Sequence, residues 1–173
     1  MMKKVYQFKK ILILSIAVCI CQGLFAQSKN LYSAAFHYIK GINTSKELFT
    51  VDTTVNFPLY GYRNELGVYW HKSRQATDNL VDSIDWDNEN NLNSQLDFLK
   101  EFRAKGEKPV RLIYFSKVSM GNILVAEIMP KKAGVNLSHD DQSLYNECVQ
   151  YLFVFDESGK IKRVFVHGRV RYN

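Results

Sequence analysis

The sequence predicts an α+β domain, in which two to three helices pack on one face of an antiparallel sheet of four to five strands. Two observations carry this prediction. Apolar residues recur at helical spacing in several parts of the first hundred residues, and two pairs of β-forming runs, each divided by a short Gly-containing turn, dominate the rest of the chain. Because a hairpin joins antiparallel strands, those four runs form a C-terminal meander of two hairpins.

The first 26 residues have the layout of a signal peptide. Four lysines precede a run over residues 11–20 that is apolar except for Ser15, and Gly23–Ala26 ends in a small residue. The run is too short to cross a bilayer, which takes about 20 apolar residues. We therefore expect residues 27–173 to form a single exported domain, periplasmic or extracellular, with no transmembrane helix once the leader is cleaved.

Cleavage of the leader changes the electrostatics of the protein. The full chain has 23 basic and 17 acidic side chains, for a net charge of +6, but the leader holds four of the lysines and none of the acids. The remaining domain has 19 basic and 17 acidic residues, so its net charge is only +2. A nucleic-acid-binding domain is usually strongly basic, and this composition therefore argues against nucleic acid as a partner.

Cysteine usage excludes an internal disulfide in the exported domain. Cys19 and Cys21 leave with the leader, so Cys148 stands alone. We expect it to be buried as a small apolar residue, because it opens an apolar strand and no neighbouring His is placed to activate it. A lipid anchor is disfavoured, since neither leader cysteine directly follows a series of small residues.

The first half of the chain predicts a helix, a strand and an irregular helical segment. Ser28 is a helix N-cap, and apolar residues follow at helical spacing until Gly41. Residues 47–57 are β-branched and partly alternating, which favours a strand. Residues 60–86 combine helical spacing with two glycines, and an Asn-rich loop follows them.

The second half predicts one more helix and the two hairpins. Leu92, Leu96 and Leu99 fall on one helical face, which we expect to lie on the sheet. The predicted strands cover residues 110–118 and 123–129 in the first hairpin, and 149–155 and 161–172 in the second. The connection from Lys131 to Glu147 is long enough for a functional loop or a short helix.

This order of elements resembles the nuclear transport factor 2-like fold, in which helices and a bent sheet form a cone around a pocket. The resemblance lies in the element order, and no sequence motif supports it. It implies a pocket between the sheet and the helices.

The last predicted strand carries the most distinctive surface. Side chains alternate along a strand, so one side consists of Arg163, Phe165, His167, Arg169 and Arg171, and the other side is rich in valine. The valine side is suited to a core. The basic side is either a ligand-binding surface or the solvated side of a sheet, where Arg stems cover exposed area and charges discourage edge pairing.

The register of this hairpin decides which aromatic residues adjoin the basic side. If Phe155 pairs with Ile161, the basic row lies beside Tyr151 and Phe153, and together they form an aromatic and cationic surface for a small anionic or aromatic ligand. A four-residue turn shifts the pairing by one and groups the aromatic residues with the valines instead. The predicted ligand-binding residues are Tyr151, Arg163, His167 and Arg169.

No motif for catalysis, metal or cofactor binding is present, so no cofactor is predicted. Three adjacent residues such as His139–Asp141 cannot all ligate one ion from a regular element. Ser138, which precedes Asp141 and Gln142, is more typical of a helix N-terminus. The acidic series from Asp78 to Glu89 lacks the Gly and Glu positions of an EF-hand loop.

Three functional hypotheses follow from the sequence. The leading one is an exported, non-catalytic binding or interaction module for an unidentified protein or small anionic or aromatic ligand. The second is a small pocket enzyme, a hydrolase or isomerase, that uses His71 or His167 as acid or base. The third is a secreted inhibitor or structural envelope protein that acts through the loop from Lys131 to Glu147.

Overall fold

The computed structural model describes residues 28–43, 48–90, 94–103 and 111–170. Their elements, in chain order, are helix α1 (28–42), strand β1 (Leu48–Thr50), a 3-10 helix (Leu59–Tyr62), helices α2 (Arg63–Trp70) and α3 (Arg74–Asn90), a second 3-10 helix (Asp97–Phe102), strands β2 (Arg111–Phe115) and β3 (Ile123–Pro130), helix α4 (His139–Ser143), and strands β4 (Glu147–Phe155) and β5 (Ile161–Val170). The predicted signal peptide and Arg171 lie outside these ranges. Within them, no helix is both long and apolar enough to cross a membrane.

The strands form a single five-stranded sheet in the order β1-β2-β3-β4-β5. The predicted α+β class and both predicted hairpins are confirmed, because β2, β3, β4 and β5 pair antiparallel in sequence order. The sheet is mixed rather than purely antiparallel, since β1 runs parallel to β2. In the described part of the chain β5 pairs only with β4, which places it at one edge of the sheet.

One face of the sheet is covered by α1 and the second 3-10 helix. Tyr32 of α1 is nearly inaccessible to solvent, meets the rings of Phe98 and Phe115 edge-on, and donates its hydroxyl proton to the Ser116 carbonyl at 2.9 Å. The same apolar cluster includes Leu99. The expectation that the Leu96–Leu99 region packs on the sheet is thereby confirmed.

The other face is covered by the first 3-10 helix, α2 and α3. Tyr62, Leu66 and Val81 pack there against apolar residues of β2 and β4, Leu112 and Leu152 among them. Helices therefore lie on both faces and not on one face alone. The reason is that the central strands are apolar on both sides, and β3 is buried from Ile123 to Met129, so each face needs a cover. The cone of the nuclear transport factor 2-like fold is not confirmed.

Two predicted elements are shorter than the sequence indicates. Among the described residues of the strand predicted over residues 47–57, only Leu48–Thr50 are regular. The chain beyond them stays hydrogen-bonded to β2 through the N–H groups of Val51 and Val55, while Thr54 exchanges hydrogen bonds with Ser94. The helix predicted from Leu92 is a 3-10 helix over Asp97–Phe102, and Leu92 itself lies outside the described residues. The side chains of Lys100 and Arg103 bind Asp52 at 3.3 and 3.1 Å and fasten this turn to the chain beyond β1.

The segment predicted as irregular and helical is confirmed as such. It forms α2 and α3, with a break at His71, whose φ of 53° ends α2 in the left-handed region. Asp85 of α3 accepts hydrogen bonds from the backbone N–H groups of Leu59 and Tyr60 at 2.7 and 3.2 Å. This carboxylate therefore caps the 3-10 helix that leads directly into α2.

Candidate functional site

The turn between β4 and β5 is closed by the predicted pair of Phe155 and Ile161, but the register of the hairpin changes directly after this pair. The Asp156 carboxylate accepts hydrogen bonds from the backbone N–H groups of Ser158 and Lys160 at 2.9 and 3.0 Å, and Gly159 adopts a φ of 79°. Phe155 pairs with Ile161, as the first alternative predicted. A β-bulge follows immediately.

The bulge shifts the register by one residue, because Val154 pairs with Arg163 and leaves Lys162 without a Cα partner. From there on Tyr151 lies opposite Val166, and the basic side of β5 lies opposite Gln150, Leu152 and Val154. The prediction that Tyr151 lies beside the arginines of β5 is therefore wrong. Since side chains alternate, one inserted residue moves every later residue of β5 to the other face.

The predicted ligand-binding residues whose side chains the structure describes are thus divided between the two faces. Tyr151 is buried in the core under α1, stacked beside Phe153 at a centroid distance of 6.2 Å. Arg163 and His167 lie on the opposite face, on the side of α2. The backbone of Arg169 pairs with Cys148, and its side chain lies outside the described part of the structure.

A cleft of about 810 Å³ lies between α2 and the start of β5. Its lining residues are Asn64, Glu65, Val68, Tyr69, His71, Lys162, Arg163 and Phe165. Two consecutive residues of one strand line the same cleft because the bulge interrupts the alternation between them. The irregularity thus places a second cation beside Arg163.

The two cations of the cleft have no anionic partner in the part of the chain that the structure describes. Within the described residues neither Lys162 nor Arg163 forms an ion pair, and both are exposed. The Lys162 ammonium lies 5.6 Å from the centre of the Tyr69 ring. A neighbouring pair of unneutralised cations beside aromatic rings favours an anion with an aromatic or apolar part.

His167 joins β5 to α2 through Glu65, one of the residues that line the cleft. Its Nε2 lies 2.7 Å from Oε1 of Glu65, and its ring stacks on Tyr62 with centroids 4.3 Å apart and an angle of 12° between the planes. Because Glu65 also lines the cleft, His167 engages the acid of the site. We assign His167 a positioning role here. His71 lies on the cleft itself, at the end of α2.

A second recess of about 770 Å³ continues from the first, sharing Tyr69 and Lys162 with it. It is lined by the turn of the β2-β3 hairpin, including Met120, and by the turn of the β4-β5 hairpin, including Glu157. The accessible surface therefore extends along the edge of the domain beyond the cation pair.

A buried polar cluster lies on the same face but inside the protein. Glu127 of β3 is fully buried, and its carboxylate contacts Nε2 of His139 at 2.5 Å, Sγ of Cys148 at 3.2 Å and Nε2 of Gln150 at 2.8 Å. Burial acts to raise the pKa of Glu127. The hydrogen bonds from these three side chains, together with the electrostatic effect of His139, outweigh burial and hold the pKa below its usual value.

This cluster fastens the connection between the hairpins to the sheet. Ser138 caps α4 by accepting a hydrogen bond from the Asp141 backbone, as the sequence predicted, and α4 brings His139 to Glu127. The side chain of Gln142 binds the backbone at Lys132 and at Asn136, both at 2.8 Å. The segment from Lys131 to Glu147, predicted as a functional loop or a short helix, therefore contains a short helix that packs on the sheet at Glu127. Cys148 is buried, as expected.

Among the described residues, no group of three or more His, Cys, Asp and Glu side chains is arranged to hold a metal ion.

Three residues of the cleft were not predicted from the sequence. They are Glu65 and Tyr69 of α2 and Lys162 of β5. Those three residues carry no local signal in the sequence. Glu127 does, because an acid within a strand that is apolar on both faces is buried and then needs polar partners. Comparison of the chain with protein-family models, curated proteins and solved structures finds no match.

Proposed function

We propose that this protein is an exported, non-catalytic binding module whose ligand is an anion with an aromatic or apolar part. The observation that carries the proposal is the cation pair of Lys162 and Arg163, which the β-bulge directs into the cleft beside Tyr69. Export rests on the leader-like first 26 residues.

The chemistry of the cleft supports this ligand class. Arg163 offers a planar set of N–H donors that matches a carboxylate or phosphate, and Lys162 adds a second positive charge. Tyr69 and Phe165 offer apolar contact area with few rotatable bonds. Glu65 lowers the positive potential, but its carboxylate is already engaged by His167. The site is therefore suited to one anionic group next to an apolar group.

Benzoate is a simple probe for this site, because it combines a carboxylate with an aromatic ring. We expect it to bind the protein in the millimolar range or tighter, and the double substitution of Lys162→Ala with Arg163→Ala to weaken binding by about tenfold, the loss typical of charged hydrogen bonds. The matched control removes two exposed lysines elsewhere, Lys40→Ala with Lys131→Ala. Calorimetric titration of the three proteins gives the comparison. Equal affinities in all three would refute the proposal.

Export has its own test. The intact gene, expressed in a Gram-negative host, should yield periplasmic or secreted protein whose mass corresponds to a chain beginning near Gln27. Recovery of full-length protein from the cytoplasm alone would contradict export, without affecting the cleft.

A second candidate function is acid or base catalysis in the same cleft, because His71 and Glu65 both line it. An enzyme of this kind should hydrolyse an activated ester such as 4-nitrophenyl acetate above the rate of free imidazole, and His71→Ala should remove the excess. His37→Ala is the control, since His37 is exposed on α1. No excess rate in the wild-type protein removes this candidate.

A further inference from the structure

We propose that the natural ligand is an extended peptide segment that pairs with the free edge of β5 as a sixth strand, with acidic side chains facing Lys162 and Arg163 and apolar side chains on the other face. This inference rests on the proposed function, because it takes the same cation pair as the recognition element. It adds the backbone of β5 as the main source of affinity.

The free edge is long enough for strand addition. β5 has ten residues, and in the described part of the chain its only strand partner is β4. In a two-sided ladder, alternate residues direct their N–H and C=O groups outward, so about half of the backbone groups of β5 face away from the sheet. An edge of this kind is a template for another extended chain. The opposite edge, β1, has only three residues.

The two faces of β5 differ in chemistry. The face on the side of α2 carries Arg163 and His167, whereas the other face carries Val164 and Val166. Val166 is 52% exposed, and Gly168 beyond it leaves open space where a side chain would lie. A strand added to this edge places its side chains alternately beside the cations and beside the valines. The edge therefore selects a segment in which acidic and apolar residues alternate.

Charge argues against a second copy of this chain as the occupant. Two antiparallel β5 strands related by a twofold axis pair residues of the same face, so a register centred on Arg163 sets the two Arg163 side chains directly opposite each other. Like charges directly opposite each other destabilise a strand pair. In an acidic partner, the Cβ atom of a Glu or Asp directly opposite a cationic residue lies about 5 Å from the Cβ atom of that residue. The carboxylate is then within reach of the cation.

The test uses a synthetic peptide of about eight residues, alternating Glu and Val with blocked ends, a length that spans most of β5. Two further versions carry N-methyl groups on alternate residues, one version on the Glu set and one on the Val set. Only one set of N–H groups faces β5 in an added strand. We therefore expect one methylated peptide to lose affinity by about tenfold or more and the other to change by less than about twofold.

Several outcomes overturn the inference. Equal loss in both methylated peptides, or loss in neither, means that the peptide does not pair as a strand. Equal binding of a version with Lys in place of Glu means that the cation pair does not select the ligand. With Lys162→Ala and Arg163→Ala combined, the Glu-Val peptide should bind about tenfold more weakly, whereas Lys40→Ala with Lys131→Ala should leave its affinity unchanged.

The benzoate titration separates this inference from the proposed function. Benzoate binding that depends on Lys162 and Arg163, together with no binding of the peptide, overturns strand addition and leaves the anion cleft standing. No binding of either probe overturns both proposals. Binding of both, with the peptide sensitive to methylation of a single set, supports both.

Discussion

Gln150 of β4 stands directly opposite His167 of β5, and each side chain holds a different carboxylate on the same face of the sheet. Gln150 donates to Glu127 in the interior at 2.8 Å, whereas His167 lies 2.7 Å from Glu65 at the cleft. A row of polar side chains thus crosses β3, β4 and β5 from the core to the surface. The inner end stabilises the fold, and the outer end forms the candidate site.

Glu65→Gln should increase the affinity for benzoate. The substitution removes the acid of the cleft and keeps an oxygen that accepts a hydrogen bond from His167. The gain is about two- to fivefold, since a partly exposed charge contributes up to about 1 kcal/mol. Glu89→Gln, an exposed position on α3, is the control for overall charge. Weaker binding by the Glu65 variant would show that this carboxylate contacts the ligand itself.

Glu127 should make the protein sensitive to acid. Its pKa in the folded state is below its ordinary value, so its stabilising contribution is complete above the unfolded pKa of about 4.3 and is lost as the pH falls through the folded pKa. Glu127→Gln should lower the free energy of unfolding at pH 7 by about 3 kcal/mol and flatten its decline below about pH 4. Urea denaturation at several pH values measures both effects.

The control for this prediction is Glu157→Gln, at an exposed position in the β4-β5 turn. It should leave both the free energy of unfolding and its pH dependence close to those of the wild-type protein. An unaltered acid profile in the Glu127 variant would mean that other carboxylates govern acid unfolding.

Asp85→Ala should destabilise the protein by about 1 kcal/mol, the usual effect of removing a helix cap. The carboxylate accepts hydrogen bonds from two backbone N–H groups of the first 3-10 helix, those of Leu59 and Tyr60. Asp82→Ala on the same helix is the control, because Asp82 is exposed. Equal midpoints of thermal unfolding for the two variants would exclude the capping role.

Gly159→Ala should also cost about 1 kcal/mol of unfolding free energy. Gly159 has a φ of 79°, which disfavours residues with a side chain, and an added Cβ would lie 3.4 Å from Cδ2 of Leu31. Gly41→Ala is a comparison of opposite sign, since Gly41 is helical and has open space around it. We expect that change to stabilise the protein by up to about 1 kcal/mol. Chemical denaturation would contradict the strain argument if both changes had the same sign.

Local sequence patterns predicted which helices and strands form. Their exact bounds depend on long-range packing, which those patterns do not contain. The two hairpins, the α4 cap at Ser138 and the buried Cys148 follow from turn residues and alternation, which act over a few positions. Among its described residues the strand predicted over residues 47–57 is regular only over Leu48–Thr50, and Thr54 beyond it bonds to Ser94, far along the chain. Alternation within one strand contains no information about such partners.

The sequence by itself determined that β5 has a cationic side and a valine side, because side chains alternate along any strand. Only the tertiary structure decided that the bulge at Lys162 turns Tyr151 away from Arg163 and that α2 brings Glu65 and Tyr69 to the cations. The physical reason is that a shift of one residue exchanges the two faces of a strand. Which face is exposed then depends on the apolar layers that pack on both sides of the sheet.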